Sequence, residues 1–304
     1  MITSDAPDFG RVLTAMVTPF GDDGKIDYAS LQKLIEHLIA TGTTAIVVNG
    51  TTGESPTLDD SEKEDLLKAV VAQVSGRVRI IMGTGSNITA KSIKATAIAQ
   101  SLGAEAALVV CPYYNKPSQA GLLAHFGAIA ESTTLPIFMY NIPGRTGINM
   151  SVDTTVQLSH KYKNIYALKD STGNVEQASD IAAAARPDFR IYSGDDNMTV
   201  PFLSVGACGV ISVASHVVGK QIADMIDASL SGNVDTARQA HYHLMPVFKG
   251  LFAAPNPTCV KYALSRLGLC KEHLRLPLVP LDESQKQAVD KLISIFDKVQ
   301  ACAK

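Results

Sequence analysis

A lysine at the end of an apolar stretch is the residue of this chain with the clearest capacity for chemistry. Lys169 ends the apolar run 164–168 and is followed by Asp170 and Ser171. Burial disfavours the charged ammonium and lowers a lysine pKa from about 10.4 by up to several units. A lysine neutralised in this way is a nucleophile that forms a Schiff base with a carbonyl compound. The alternative is that Lys169 only ends a strand and extends into solvent, as lysines commonly do.

Apolar strand candidates alternate with helical patterns along the first two thirds of the chain. The predicted strands are Val12 to Thr18, Ala45 to Asn49, Val78 to Gly83, Ala107 to Cys111, Ile137 to Tyr140, Ile165 to Lys169, Arg190 to Ser193 and Gly209 to Val213. Nearly continuous apolar strands separated by helices predict a parallel sheet that is covered on its outer face. Eight such units favour a (β/α)8 barrel, an α/β fold, over an open doubly wound sheet.

Helical patterns fill the segments between these strands and the remainder of the chain. The first two predicted helices end at Gly42 and Gly76. The next helical patterns lie near Thr89 to Leu102, Gln119 to Glu131, Ser151 to His160, Asn174 to Ala185 and Asp196 to Val205. Further on they lie at Ile222 to Leu230, Val234 to Phe252, Pro257 to Leu267 and Glu283 to Gln300. We therefore predict a barrel over residues 1–218 that carries the active site, and a C-terminal helical region over residues 219–304 that packs on it.

The composition is that of a globular protein with a substantial core. Of the 304 residues, 46% are hydrophobic and 18% are charged, with a net charge of −2. A net charge this close to zero does not indicate binding to nucleic acid or to an anionic membrane. No apolar run is long enough to span a bilayer. The first residues, Met1 to Asp8, lack the basic start and apolar stretch of a secretory signal. We expect a cytoplasmic protein.

Neither the cysteines nor the histidines form a recognisable metal or disulfide pattern. The five cysteines are odd in number, far apart and without a CxxC pair: Cys111, Cys208, Cys259, Cys270 and Cys302. This pattern argues against a disulfide framework and against a zinc site. His241 and His243 are two apart on a helical pattern without an HExxH motif, so we expect surface or packing roles for them.

Polar residues follow the ends of the predicted strands. The carboxyl ends of barrel strands meet at one mouth, where such enzymes place their chemistry. These positions hold Thr51 and Thr52, Gly83-Thr84-Gly85, Tyr113 and Tyr114, Tyr140 with Arg145 beyond it, and Ser193-Gly194-Asp195, with Ile211 in the last strand. Each signal alone is weak, because tyrosine pairs often pack and threonines in glycine loops often serve turns. Their joint placement around Lys169 favours an active site.

These groups support enamine formation from a keto acid. The lysine attacks the ketone, and the resulting iminium is an electron sink for deprotonation at the neighbouring carbon. Tyrosine phenols that act through a threonine hydroxyl can carry the proton. Thr51 and Thr52, with their backbone N–H groups, can hold the substrate carboxylate. Arg145 offers a planar fork for a second carboxylate.

Four motifs of this chain resemble those of the dihydrodipicolinate synthase family, in the right order between Phe9 and Pro280. They are Gly50-Thr51-Thr52-Gly53-Glu54-Ser55, Pro112-Tyr113-Tyr114-Asn115, Tyr140-Asn141-Ile142-Pro143-Gly144-Arg145-Thr146-Gly147 and Leu168-Lys169-Asp170-Ser171. The Tyr-x-x-Pro element followed by a strand-end lysine is typical of the pyruvate-dependent aldolases. The arginine of the third motif narrows the resemblance to the synthase.

The resemblance implies a lyase that condenses pyruvate, bound to Lys169, with L-aspartate-4-semialdehyde. Cyclisation would then give 4-hydroxy-tetrahydrodipicolinate in the first committed step of the diaminopimelate–lysine pathway. It further implies a homotetramer built as a dimer of dimers, and a reaction without metal or organic cofactor.

By matching position, the resemblance also implies a role for each residue of the site. Tyr140, Thr51 and Tyr114 would form a proton relay, with Tyr114 donated across a subunit interface. Thr52 would hold the pyruvate carboxylate and Arg145 the carboxylate of the semialdehyde. In addition, Gly194 and Ile211 would line the site through their backbones.

One departure from the family pattern concerns inhibition by lysine. Family members that lysine inhibits bind it beside the tyrosine pair with a histidine and a glutamate. The matching positions here are Lys63 and Lys91, and an ammonium repels the cationic groups that a carboxylate would attract. The other positions of this pocket are Ser55, Pro56, Asn87 and Tyr113. We therefore predict weak or absent inhibition by lysine.

Three alternatives remain open. Another pyruvate-dependent aldolase, such as N-acetylneuraminate lyase or a 2-keto-3-deoxy sugar acid aldolase, shares the lysine and the tyrosine but has no need of Arg145. A barrel enzyme for phosphorylated or dinucleotide substrates would use the short glycine loops, although neither a full GxGxxG nor a P-loop is present. A non-catalytic barrel would require an inert Lys169.

Overall fold

Eight parallel strands close into a barrel in chain order. The structure, a computed structural model, describes residues 7–301. The strands are β1 (Val12–Ala15), β2 (Ala45–Val48), β3 (Arg79–Gly83), β4 (Ala106–Val110), β5 (Ile137–Asn141), β6 (Ile165–Asp170), β7 (Arg190–Ser193) and β8 (Gly209–Ser212). Because β1 pairs with both β2 and β8, the sheet has no free edge. The predicted (β/α)8 barrel is confirmed.

Helices surround the barrel and continue beyond it. They are α1 (Tyr28–Ala40), α2 (Asp60–Val74), α3 (Thr89–Ser101), α4 (Gln119–Glu131), α5 (Pro143–Thr146), α6 (Val152–Lys161), α7 (Val175–Ala184), α8 (Thr199–Leu203), α9 (Ser215–Leu230), α10 (Val234–Gly250), α11 (Thr258–Arg266) and α12 (Glu283–Ala301). Asp27 is the N-cap of α1, and its carboxylate accepts a hydrogen bond from the Ser30 N–H at 3.0 Å.

Three helices differ from the prediction, and one of them is α9, which begins at Ser215 and not at Ile222. The predicted helix from Asp196 to Val205 is divided into a 3-10 turn, Asp196–Met198, and the short α8. The Asp196 carboxylate accepts hydrogen bonds from the Ser212 hydroxyl and the N–H groups of Val213 and Ala214. These bonds hold the turn against the end of β8. The single-turn α5 was not predicted, because four residues are too few to show a helical period.

Aromatic side chains fill the barrel interior below the mouth. The Phe9 ring lies edge-on to Phe138 with centroids 5.1 Å apart, and Phe138 contacts Tyr166 and Tyr192. Two further apolar layers lie between the barrel and its helices. The barrel is therefore a packed core whose open space is confined to its upper end.

The C-terminal helices continue from the last barrel helix. Residue 218, where the sequence prediction divides the chain, lies inside α9 at a residue with non-helical angles, φ −133° and ψ 35°. Helix α11 packs on α12 and α9, and α10 packs along α9. The division into residues 1–218 and 219–304 stays a prediction.

Four of the cysteines are free thiols: Cys111, Cys208, Cys259 and Cys270. The fifth, Cys302, lies outside the described residues, and so do residues 1–6 of the segment from Met1 to Asp8. Over residues 7–301, no helix combines the length and the apolar character needed to cross a membrane. Within the same range, no group of three or more His, Cys, Asp and Glu side chains could hold a metal ion.

Candidate active site

Lys169 lies inside the barrel mouth, near the carboxyl end of β6. It is directly paired in register with Tyr140 of β5, so both side chains emerge on the same, inner side of the sheet. The Lys169 side chain is 6% exposed, and its Nζ lies 4.3 Å from the centroid of the Tyr140 ring. The alternative of a lysine that extends into solvent therefore does not hold.

The electrostatics of this position favour a neutral amine. Burial lowers the pKa of Lys169 to about 8, while the carboxylates of Asp195 and Asp196 oppose this shift. Among the described residues, no carboxylate oxygen lies within ion-pair distance of its Nζ. Roughly one tenth of Lys169 is therefore uncharged at pH 7, far more than for an ordinary lysine with a pKa of about 10.4, and is available for attack on a carbonyl.

A cavity of about 680 Å³ opens above Lys169. Six of the predicted site residues line it: Thr51, Thr52, Tyr140, Arg145, Lys169 and Gly194. They belong to the ends of β5 and β6 and to the segments that follow β2, β5 and β7. The structure thus brings together a buried amine, a phenol, two hydroxyls and a guanidinium at the carboxyl ends of the strands, as the sequence predicts.

The segment that carries Thr51 and Thr52 is anchored at both ends. Before it, Asn49 has φ +59° and donates from Nδ2 to the Gly83 carbonyl at 2.7 Å. After it, the Thr18 hydroxyl donates to the Gly53 carbonyl at 2.7 Å. These contacts fix the path of the backbone and hold Thr52, which is 3% exposed, at the cavity wall.

Gly194 allows two strand-end segments to approach each other closely. A Cβ at this position would lie 2.0 Å from the Ser171 Oγ, a distance that no side chain tolerates. The backbone of β7 can therefore run directly beside the segment after Lys169. Asp195, the next residue, lines the cavity, and burial raises the pKa of its carboxyl group while Lys169 opposes this shift.

Tyr140 lies deep in the cavity, whereas Arg145 lies at its rim. Burial raises the pKa of the Tyr140 phenol to about 12, so it remains protonated at neutral pH. Arg145 lies on α5, which Pro143 begins, and its side chain is exposed at the cavity rim. Among the side chains of residues 7–293, Arg145 has no ion-pair partner, so its guanidinium is available to an anionic ligand.

Two of the predicted catalytic and substrate-binding residues do not line this cavity. Tyr114 is 90% exposed, with φ +72°, and extends away from its own barrel. Ile211 is fully buried in the barrel interior, where β8 pairs it with Leu13 of β1. Their predicted roles stay predictions.

The cavity continues outward between α2 and α3. Five of the positions assigned to lysine binding line this outer part: Ser55, Pro56, Lys63, Lys91 and Tyr113. The sixth, Asn87, donates from Nδ2 to the Tyr113 carbonyl at 3.2 Å. Lys94 adds a third ammonium to the wall, which the carboxylates of Asp60 and Glu64 also line, with Asp60 3.7 Å from the Lys63 ammonium.

Sequence reasoning missed a polar residue of the cavity wall that contacts a predicted site residue. Asn256 lies just before α11, is 8% exposed, and donates from Nδ2 to the Thr52 Oγ1 at 2.9 Å. No local signal could have found it, because its partner is 204 residues away and an Asn-Pro pair indicates only a turn.

A closed parallel barrel with a buried lysine of lowered pKa at a strand end defines the class of Schiff-base-forming barrel enzymes, the class I aldolases. Comparisons with known proteins agree. The model of the dihydrodipicolinate synthetase family matches residues 8–296. A 4-hydroxy-tetrahydrodipicolinate synthase of Thermosynechococcus vestitus is 50% identical over 291 residues, which cover 95% of this chain and 97% of the relative.

Solved structures of similar proteins show the same fold. A dihydrodipicolinate synthase from Bacillus anthracis is 49% identical with a TM-score of 0.92, over 94% of this chain and 98% of that chain. The synthase from Cyanidioschyzon merolae, solved with lysine bound, is 45% identical with a TM-score of 0.93, over 95% and 98% of the two chains.

The chain belongs to the dihydrodipicolinate synthetase family. The resemblance noted in the sequence is thereby confirmed, and with it the prediction of a lyase of the 4-hydroxy-tetrahydrodipicolinate synthase type in the lysine and diaminopimelate pathway. The sugar-acid aldolases and the phosphate-binding alternative are not favoured.

Proposed function

We propose that this enzyme condenses pyruvate with L-aspartate-4-semialdehyde through a Schiff base on Lys169. The observation that carries the proposal is the position of that lysine. It is buried, has its pKa lowered to about 8, and lies below a cavity that also holds Tyr140 and Arg145.

In the first half of the reaction, the Lys169 amine attacks the ketone carbon of pyruvate. Loss of one water gives an iminium, whose positive charge acidifies the neighbouring methyl group. Removal of one methyl proton gives the enamine. Tyr140 and Thr51 line the cavity on the side of the amine and serve as proton carriers in this step.

In the second half, the enamine carbon forms a bond to the aldehyde carbon of the semialdehyde, whose oxygen takes up a proton. The amino group of the semialdehyde then attacks the iminium carbon and displaces Lys169, which closes the ring and frees the enzyme. The overall balance is two substrates to one cyclic product and one water. The covalent bond to Lys169 takes the place of a cofactor.

The two carboxylates are held at different depths. Thr52 is buried beside Lys169, so its hydroxyl and the neighbouring backbone N–H groups bind the carboxylate of pyruvate. Arg145 at the rim binds the carboxylate of the semialdehyde in a planar, bidentate contact. Gly194 lines the opposite wall through its backbone.

We further propose that the working unit is a homo-oligomer in the cytoplasm. Tyr114 is exposed in the single chain, on a backbone held at positive φ, and so presents its phenol to a neighbouring subunit. A dimer would complete the relay of Tyr140, Thr51 and Tyr114, and the tetramer would be a pair of such dimers.

The test of the reaction is pyruvate consumption with three acceptors: aspartate semialdehyde, N-acetylmannosamine and glyceraldehyde. We expect consumption with the semialdehyde alone, and a loss of that selectivity in Arg145→Ala. Arg238→Ala is the matched control, because Arg238 is an exposed arginine of α10 outside the cavity lining, with Asp235 as its partner. Consumption with a sugar aldehyde would contradict the proposal.

Sensitivity to lysine is a separate part of the proposal. Three ammonium groups, those of Lys63, Lys91 and Lys94, line the outer cavity together with the carboxylates of Asp60 and Glu64. Lys63 lies 3.7 Å from Asp60, so the wall presents more positive than negative groups to the ammonium groups of a lysine ligand. We expect little or no inhibition by lysine, measured as turnover against lysine concentration. Half-inhibition below about 1 mM, an affinity that requires favourable contacts to the ammonium groups, would refute this expectation.

A further inference from the structure

A contact from the C-terminal region reaches the wall of the active site. Asn256 precedes α11, and its Nδ2 donates to the Thr52 Oγ1 at 2.9 Å. Both side chains are buried, at 8% and 3% exposure, and both line the cavity above Lys169. Buried hydrogen bonds of this kind are stronger and geometrically stricter than those in water.

The direction of this hydrogen bond determines what Thr52 can offer to a ligand. A hydroxyl has one proton to donate and two lone pairs that accept. Within the described part of the chain, Thr52 Oγ1 accepts from Asn256 and has no other side-chain hydrogen bond. Its proton is therefore unused and free to be donated into the cavity.

A second, independent contact holds the same segment to the C-terminal region. Two residues after Thr52, the buried Glu54 accepts a hydrogen bond from Lys261 of α11 at 2.5 Å. The other carboxylate oxygen of Glu54 accepts a hydrogen bond from the backbone N–H of Arg275 at 3.0 Å. The backbone of the segment is thus held by Glu54, and the contact to Asn256 is left to orient the hydroxyl.

We propose that Asn256 is a positioning residue for pyruvate binding. By donating to the Thr52 Oγ1, it holds that hydroxyl in the rotamer that presents its proton to the pyruvate carboxylate. This inference rests on the proposed function, in which Thr52 binds that carboxylate. It assigns a role in the reaction to the C-terminal region, which supplies the donor.

The test measures the pyruvate concentration that gives half-maximal adduct formation on Lys169. Borohydride transfers a hydride to the iminium and converts it to a stable secondary amine, which mass spectrometry detects. We expect Asn256→Ala to raise this concentration about tenfold, as the loss of one oriented hydrogen bond to a charged group predicts. The kcat at saturating pyruvate should change less than about twofold, because the reacting atoms are untouched.

A double-mutant cycle separates positioning from packing. In a Thr52→Val background there is no hydroxyl to orient, so Asn256→Ala should change the half-maximal concentration by less than about twofold. Equal effects in both backgrounds would show that Asn256 acts through packing and would overturn the proposal. Asn233→Ala is the matched control, because this exposed asparagine precedes α10 without a side-chain cap.

Asn256→Asp tests the direction of the hydrogen bond with a side chain of the same size. A carboxylate only accepts, so it would draw the Thr52 proton away from pyruvate and add a negative charge. We expect weaker pyruvate binding than in Asn256→Ala, and binding equal to wild type would overturn the proposal. Adduct formation needs no second substrate, so failure of the wild-type adduct to condense with the semialdehyde would count against the proposed function alone. A wild-type chain without any adduct would overturn both.

Discussion

The chain buries two lysines in very different surroundings. Lys169 is 6% exposed at the barrel mouth, and Lys261 of α11 is 0% exposed where that helix contacts the segment after β2. Both ammonium groups lie over an aromatic ring, at 4.3 Å from the Tyr140 centroid and 4.1 Å from the Phe20 centroid. Burial lowers both pKa values. Burial and aromatic contact alone therefore do not distinguish a nucleophile.

Partners and access distinguish the two lysines. Lys261 donates to Glu54 at 2.5 Å and to the His273 carbonyl at 2.9 Å, and the Glu54 carboxylate opposes the lowering of its pKa. Lys169 has no such carboxylate among the described residues and faces an open cavity. The first arrangement favours a structural ion pair, and the second leaves an amine free to react.

The largest effect is expected from removal of the unpaired lysine. Lys169→Ala should abolish the borohydride-trapped pyruvate adduct and lower turnover by roughly 10³-fold or more, because the covalent route is lost. Circular dichroism should show an unchanged fold, since no ion partner is left uncompensated. An adduct that persisted in Lys169→Ala, at Lys261 or elsewhere, would break the distinction between the two lysines.

Removal of the paired lysine should lower stability, while the pyruvate adduct on Lys169 should still form. Lys261→Met leaves the Glu54 carboxylate buried without its partner, and we expect a loss of about 3–5 kcal/mol in the free energy of unfolding. The double variant Glu54→Gln/Lys261→Met should lose less, because no charge is stranded. Urea-induced unfolding measures both, with Lys169→Met as the matched control. A double variant as unstable as the single one would show that packing, not charge, governs this site.

The tyrosine beside Lys169 should matter for rate more than for adduct formation. Tyr140→Phe keeps the ring against the amine but removes the phenol, and we expect kcat to fall about 10²-fold as a proton carrier is lost. Pyruvate should still be trapped on Lys169. Phe20→Leu is the matched change at the other lysine and should lower stability without lowering kcat. Equal kcat values for Tyr140→Phe and wild type would show that the phenol takes no part in the reaction.

Local patterns predicted most of the fold and the inner part of the site. Strand runs such as Ala45–Val48 stand out because a parallel barrel strand is apolar on both faces. The rule that chemistry gathers at the carboxyl ends of strands then identified Lys169 and Tyr140, whose pairing in register the structure confirms.

Contacts between distant segments escaped sequence analysis. The bond from Asn256 to Thr52 and the pair of Lys261 with Glu54 each join residues more than 200 positions apart. Neither Asn-Pro nor a lysine within a helix carries a signal of its partner, because the fold alone brings these residues together. The helical region was consequently expected to pack on the barrel, and its contacts to the threonine segment were not foreseen.

The pH dependence of adduct formation offers the finest test of the difference between the two lysines. Only the neutral amine attacks pyruvate, so below the pKa of Lys169, about 8, the initial rate should rise about tenfold for each pH unit and level off above it. The Asp195 carboxylate raises this pKa, so Asp195→Asn should move the midpoint to lower pH. Glu54→Gln should leave the midpoint unchanged, because that carboxylate belongs to Lys261. A midpoint near the ordinary lysine pKa of about 10.4 would mean that burial does not activate Lys169.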